Sequence, residues 1–259
     1  MRNLVLFVLT ILIIASCQVD NDNFMEDDNY YNLNLSEPVL VAHYLLDNEA
    51  LDQSDNNNDG QIFKAVGATD RQGNENGALV FNGVDSKVIC TRQIDDELSE
   101  GTTFSAWIWN SGTQHGRILS NYNGQGVGYD CDQRVGFVFG ITYDKRLIMF
   151  YAVDSDDYIG RMTLKNAIQE NEWTHVLGMW NGNFSPEGFR LYINGERVDY
   201  HDKVGGRVSC GYHQSINPFY IGMGHCKTGE CWPFKGKIDD VRIFSNALDT
   251  GYIKQLANE

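Results

Sequence analysis

The chain has 259 residues, of which 42 % are hydrophobic and 12 % aromatic, with 26 glycines and only four prolines. That composition belongs to a folded, turn-rich protein and excludes a disordered chain, a collagen-like repeat and a coiled coil. A formal net charge of −15, with no basic stripe to offset it, excludes nucleic acid as a partner, because such a surface repels a phosphate backbone.

The first element is an apolar run at residues 4–15 behind a single arginine. It is too short to cross a hydrocarbon layer of roughly 30 Å and has the form of a signal-peptide core. Residues 1–16 are therefore expected to be removed. The run ends in Ile14-Ala15-Ser16-Cys17, which resembles the bacterial lipobox, and Cys17 is the expected lipidation site. The alternative is an ordinary secretory signal with an incidental cysteine. Residues 17–37 are acidic and asparagine-rich without period, as in an unfolded tether. They resemble the surface-export signal of Bacteroidetes lipoproteins, although a plain solvated spacer has the same composition. The expected location is the outer membrane, facing the exterior, with the lipid as the only membrane contact.

From residue 39 the chain alternates with period two. Strands are expected at residues 39–46, at 78–81 and 87–91 around the turn signal Asn82-Gly83, and at 103–110. Residues 135–141 and 146–152 form a hairpin about Tyr143-Asp144-Lys145, and further strands cover 158–164 and 173–180. Residues 189–193 and 196–200 flank Asn194-Gly195, a pair suited to a type I′ hairpin turn because both positions need positive φ. Strands at 219–223 and 237–244 precede one short helix at 249–256, with Asp249 as N-cap. Short strands at close spacing make the domain at 38–259 an all-β sandwich or jelly roll. Alternation places Trp107 and Trp109 on one face of their strand and Phe104, Ala106 and Ile108 on the other.

The blocks HYLLDNEALDQSDNNNDG, GATDRQGNENGALVFNGVDSKVI, TFSAWIW, WTHVLGMWNG, FRLYINGERV and FKGKIDDVRIFSNAL resemble, in order, a laminin-G-like domain of the concanavalin A-like lectin/glucanase type. The resemblance implies a jelly roll of two antiparallel sheets in which the first and last strands are neighbours. Function does not follow from it, since this fold carries lectins, adhesion modules and hydrolases.

Oxygen donors concentrate at Asp47 and DQSDNNNDG and again at Asp239-Asp240. Calcium takes six to eight such oxygens, and neighbouring terminal strands would unite the two groups. The expected ligands of a structural calcium are Asp47, Asn58, Gly60 through its carbonyl, and Asp239, with Asp59 or Asp240 as substitutes. A plain turn and an Asp240–Arg242 pair are the competing readings. Of the five cysteines beyond Cys17, Cys226 and Cys231 enclose a glycine-containing loop and are expected to bridge. Cys131 and Cys210 are expected to pair between loops, leaving Cys90 as a free buried thiol. A zinc site at Cys226, Cys231 and nearby histidines is disfavoured in an oxidising compartment.

No Glu-x-Asp-x-x-Glu strand, Ser-His-Asp set, Walker motif or HExxH motif is present. His43 and His175 fit hydrogen-bonded structural roles. Loop aromatics among asparagine, glycine and aspartate suit stacking on sugar rings. The expected ligand-binding residues are Tyr122, Tyr129, Arg134, Tyr212 and Trp232, although bulky residues also pin loops to a sandwich. The expected function is non-catalytic binding of a glycan or surface glycoprotein. The alternatives are a hydrolase or lyase with a non-standard carboxylate pair, and a protein–protein adhesion module.

Overall fold

The computed structural model describes residues 37–112, 114–123, 135–153, 157–199, 202–206, 208, 211–226 and 229–259. The signal peptide, Cys17 and nearly all of the tether lie outside the described residues, as do Tyr129, Cys131, Arg134 and Cys210. The chain runs through β1 (Leu40–Tyr44), β2 (Gly60–Phe63), β3 (Val66–Ala68), β4 (Ala78–Asn82), β5 (Lys87–Cys90) and β6 (Thr102–Asn110). Next come β7 (Gly116–Ser120), β8 (Gly136–Ile141), β9 (Leu147–Ala152), β10 (Tyr158–Met162), β11 (Trp173–Trp180) and β12 (Phe189–Ile193). It closes with β13 (Glu196–Arg197), β14 (Asp202–Gly205), β15 (Tyr220–Ile221), β16 (Gly224–Cys226), β17 (Gly229–Cys231), β18 (Lys235–Phe244) and helix α1 (Thr250–Leu256).

Two antiparallel sheets form the expected sandwich. The first has the order β13-β12-β11-β6-β18-β4-β3, with β1 also paired to β18, and the second has the order β14-β10-β9-β8-β7-β15-β5-β2. A separate hairpin, β16-β17, stands apart from both. The inward residues of the long strands meet in one apolar core. Phe104, Ala106 and Ile108 of β6 and Val176 and Trp180 of β11 face Phe137, Phe139, Met149 and Tyr151 of the second sheet. Phe104 lies 5.5 Å from both Phe137 and Phe219, ring to ring, in edge-on contacts. Aromatic pairs in this geometry add about 0.5–1.5 kcal/mol beyond their buried area.

Local sequence explains several boundaries. Asn194 and Gly195 take φ of 50° and 79°, and the hairpin between β12 and β13 forms at that turn. Asp249 accepts from the Tyr252 backbone N–H at 2.8 Å and caps α1. The turn at Asn82-Gly83 behaves differently. Asn82 Oδ1 accepts from the backbone N–H groups of Val84, Asp85 and Ser86, but β4 belongs to the first sheet and β5 to the second. This tight turn carries the chain across the sandwich rather than closing a hairpin. Strands β2, β3, β7, β14, β16 and β17 were not expected from the sequence; none is longer than five residues, and four begin with glycine.

α1 lies on the outer face of the first sheet, where Ile253 and Leu256 join Leu177, Met179, Tyr192 and Phe244 in a second apolar cluster. Cys90 is a free buried thiol, and burial pushes its pKa up to about 12.

Gly222 follows β15 with φ 79°. Its N–H donates to Ile118 O, and its own carbonyl accepts from Phe234 N–H. A Cβ there would lie 2.2 Å from the Phe81 ring. Left-handed strain and overpacking together make Gly222→Ala cost about 2–5 kcal/mol. A drop in Tm of roughly 5–15 °C by calorimetry is the expected outcome.

Candidate functional site

Alternation along the second sheet sends Phe137, Phe139, Met149 and Tyr151 to the core and Arg117, Phe150 and Tyr158 to the opposite, outer face. Two of these three have a glycine across the ladder. Arg117 is registered near Gly140, and Phe150 sits opposite Gly160. A Cβ on Gly160 would come within 2.5 Å of Phe150 Cβ. The missing side chains are what let the large ones lie against the sheet.

The β16-β17 hairpin packs beside Arg117. The Cys226–Cys231 disulfide forms as expected and closes it, with Cα atoms 5.9 Å apart. Gly224 presses against the aliphatic stem of Arg117, where a Cβ would meet Cγ at 2.7 Å. Immediately after the hairpin, Trp232 adopts φ 56°, a conformation that costs a bulky residue of order 1–3 kcal/mol and collects at functional sites. Its carbonyl is fixed by the Arg117 N–H at 3.0 Å. The indole then lies 4.1 Å from the Arg117 guanidinium carbon.

Ring contacts extend this pair into a shelf. Trp232 stacks on His115 at 5.1 Å and 22°, and His115 meets Tyr143 at 4.1 Å. On the other side Arg117 lies 5.9 Å from the Phe150 ring, which touches Tyr122 at 6.4 Å and Tyr158 at 5.8 Å. Trp232 is 42 % exposed and Tyr143 65 %. Burial holds the His115 imidazole below its ordinary pKa, with Arg117 adding to the effect, so it is mainly neutral at pH 7. Burial also draws Arg117 down to about 9, and it remains charged. The shelf therefore presents flat apolar faces together with nitrogen donors. Asp144, at its edge, is bonded to Thr142 and Arg146.

A second region lies on the outer face of the first sheet. β18 carries an irregularity between Asp239 and Arg242, and Asp240 has φ 51°. Ile238 and Val241 both point to the core, so two consecutive aspartates face outward. They line a depression of about 470 Å³ with Asp47, Asp70, Arg71 and Glu259. Arg71 bonds Asp239 and reaches Asp240 at 3.3 Å. His43 Nε2 lies 2.7 Å from Asp240 Oδ1, and Arg242 Nε lies 3.1 Å from it. Burial pushes the Asp239 carboxyl up to about 7, against the pull of Arg71. Asp240 is nearly as buried, yet its bond to His43 and the positive charge of Arg242 carry it below the ordinary carboxylate value. His175 is buried beside Trp107, with Nε2 2.8 Å from Ser105 Oγ.

Residues 81–254 match a laminin G-type family model described as the concanavalin A-like lectin/glucanases superfamily. The chain belongs to this superfamily. A search of curated proteins finds no match. Among solved structures, this concanavalin A-like chain is similar to domain 4 of AbnA, a GH43 extracellular arabinanase from Geobacillus stearothermophilus, in complex with arabinotriose. Identity is 20 % and the TM-score 0.58, over 86 % of this chain and 100 % of that one. It is also similar to the binding domain of botulinum neurotoxin DC, solved in complex with SialylT (18 %, TM-score 0.55) and with rat synaptotagmin II (19 %, TM-score 0.58). In both cases 85 % of this chain is covered, and it spans about half, 51 %, of the neurotoxin chain. These likenesses show the fold.

The concanavalin A-like fold brings some of the expected site residues together and separates others. Tyr122 and Trp232 are on the shelf. Tyr212 is not: its ring stacks on Tyr151 at 5.3 Å and on Trp180 at 6.0 Å, so it pins its loop to the core. His115, Arg117, Tyr143 and Phe150 were not expected, and only the cross-strand register unites them. Asp47 and Asp239 do line one depression, as neighbouring terminal strands imply. Asn58 and Gly60 do not line it. Asn58 O accepts from the Tyr44 hydroxyl, and Asn58 Oδ1 lies 3.4 Å from Arg92 Nη1. Arg71 pairs with Asp239 in that depression, and the four expected ligands do not all line one site. Among the described residues no group of three or more His, Cys, Asp or Glu is arranged to hold a metal ion.

Two outcomes follow. Tm in EDTA is expected to equal Tm in millimolar calcium, and a fall of several degrees on chelation would mean that an ion displaces Arg71. Burial lowers His175 to about 4, below its unfolded value of 6.5, so its contribution is complete above pH 6.5 and is lost as pH falls towards 4. Asp239, raised, acts with the opposite sign over much of this range, so the two must be separated by difference. Relative to His175→Gln, the wild type is expected to lose on the order of 3 kcal/mol between pH 6.5 and 4 in urea titrations. A constant difference would show that His175 is not buried in its neutral form.

Proposed function

We propose that this protein is a non-catalytic carbohydrate-binding protein of the cell surface, lipid-anchored through Cys17 to the outer membrane, with the shelf on the second sheet as its binding face. The observation that carries this reading is the exposed Trp232, held in a left-handed backbone conformation over Arg117 and continued by His115 and Tyr143. A sugar ring offers one apolar face and a rim of hydroxyls. Exposed aromatic faces beside nitrogen donors complement both. Domains of the same fold are solved with arabinotriose and with SialylT, which supports a glycan as the partner.

A protein partner is the second reading, favoured by the neurotoxin binding domain in complex with rat synaptotagmin II. The enzymatic alternative would draw on Asp239 and Asp240, but both are tied to Arg71 and Asp240 also to His43 and Arg242. Such pairing opposes the free acid and base that glycoside cleavage needs.

Glycan-array binding by the full chain, followed by titration calorimetry on the best ligand, tests the proposal. Trp232→Ala is expected to weaken binding by about tenfold or more, near 1.4 kcal/mol. Tyr143→Ala is expected to have a smaller effect, and Tyr212→Ala to lower Tm rather than affinity. Turnover of a polysaccharide by the protein alone would overturn the reading in favour of an enzyme.

A further inference from the structure

Arg117 is 5 % exposed, and among the described residues no other lysine or arginine is so deeply buried. Other half-buried arginines meet carboxylates: Arg71 meets Asp239 and Asp240, Arg146 meets Asp144, Arg197 meets Asp199, and Arg242 meets Asp240. Arg117 meets none among the described residues. Its neighbours are the faces of Trp232 and Phe150, with Tyr122 close enough to oppose the loss of its proton. π faces attract a cation without using its N–H groups. A guanidinium carries five N–H donors in a planar fork, and holding its charge at 5 % exposure without a counter-ion is costly. Nearby, on the Trp232 ring, His115 Nδ1 is buried with no hydrogen-bond partner. A cation without a counter-ion and an unpartnered imidazole nitrogen thus border one exposed aromatic face.

We infer that the shelf recognises an anionic sugar residue, with the Arg117 fork pairing the carboxylate or sulfate while Trp232 and Tyr143 take the ring. This rests on the glycan reading and narrows it. Guanidinium matches either oxyanion through two parallel hydrogen bonds. The net charge of −15 rules out attraction of a long polyanion from a distance. Recognition is therefore by contact with one anionic group, and short acidic oligosaccharides are the favoured ligands.

The test uses the full-length protein and matched ligand pairs. Trigalacturonic acid is compared with its methyl ester, and a sulfated chondroitin disaccharide with its desulfated form, by calorimetry at fixed salt. At least one acidic member is expected to bind tenfold or more tightly than its neutral partner. In Arg117→Gln that preference is expected to fall below twofold, with Arg117→Lys intermediate and Trp232→Ala weaker towards both members. Equal binding of acid and neutral partner by the wild type overturns the inference and leaves the glycan reading standing. So does an acidic preference that survives Arg117→Gln. Absence of binding to either member of both pairs also overturns it, and the glycan reading then stands or falls on the array. Where Arg117→Gln fails to fold, the wild-type ester comparison still tests the acidic preference, and Arg117→Lys tests its source: a preference unchanged in Arg117→Lys overturns the assignment to the Arg117 fork.

Discussion

β18 is the seam of this fold. On one side it pairs with β6 along most of its length, and on the other it pairs first with β4 and then with β1. The change of partner requires a break in register, which falls between Asp239 and Arg242. That break turns two aspartates to the same face and buries both. Their charge then dictates the surroundings: Arg71 arrives from the loop after β3, His43 from β1, and Arg242 from β18 itself. Arg71, His43 and Arg242 each answer a charge created by the partner change. Such clusters tolerate loss of a member poorly, because an uncompensated buried charge costs several kcal/mol.

The same logic separates the two outer faces. On the first sheet every outward tryptophan has a partner from this chain: Arg71 lies over Trp107, and Lys237 lies near the rings of both Trp109 and Trp173. Lys237 is held in turn by Thr69 O. Farther along, α1 covers the apolar remainder. On the second sheet the disulfide-closed hairpin does not cover the aromatics but adds to them, by setting Trp232 at its exit. One face is completed by its own chain, and the other keeps its largest rings open to solvent.

Much of the architecture was legible because it is local. β6 and β11 alternate over nine and eight residues, and β18 does so on either side of its break, long enough for period two to stand out. Asn194-Gly195 and Asp249 declare a turn and a cap through their own backbone preferences. β7 was not legible, since a five-residue strand, Gly-Arg-Ile-Leu-Ser, with arginine second in it carries no readable alternation. Asn82-Gly83 shows a further limit: turn chemistry fixes the reversal but not which sheet receives the next strand. The site was legible only in part for the same reason. Trp232 and Tyr122 belong to glycine- and asparagine-rich segments that look like binding loops, and so does Tyr212, which the core claims. Asp47 and Asp239 were rightly placed side by side, but the arginine that joins Asp239 is a loop residue whose partner is 168 positions away.

Arg117 acquires its meaning only from packing. In sequence it is one cation between glycine and isoleucine, the usual mark of a solvated position. In the fold it lies near Gly140 across the ladder, beneath Trp232 and beside Phe150, where solvent is largely excluded. A leucine there would bury as well and bring no desolvation cost, so the charge is not explained by packing. The first sheet shows how this chain treats a buried charge that serves structure: it supplies the counter-charge itself, twice over at Asp240. That no such counter-charge is supplied to Arg117 among the described residues is therefore a difference in kind, and it falls on the face whose aromatic rings are left open.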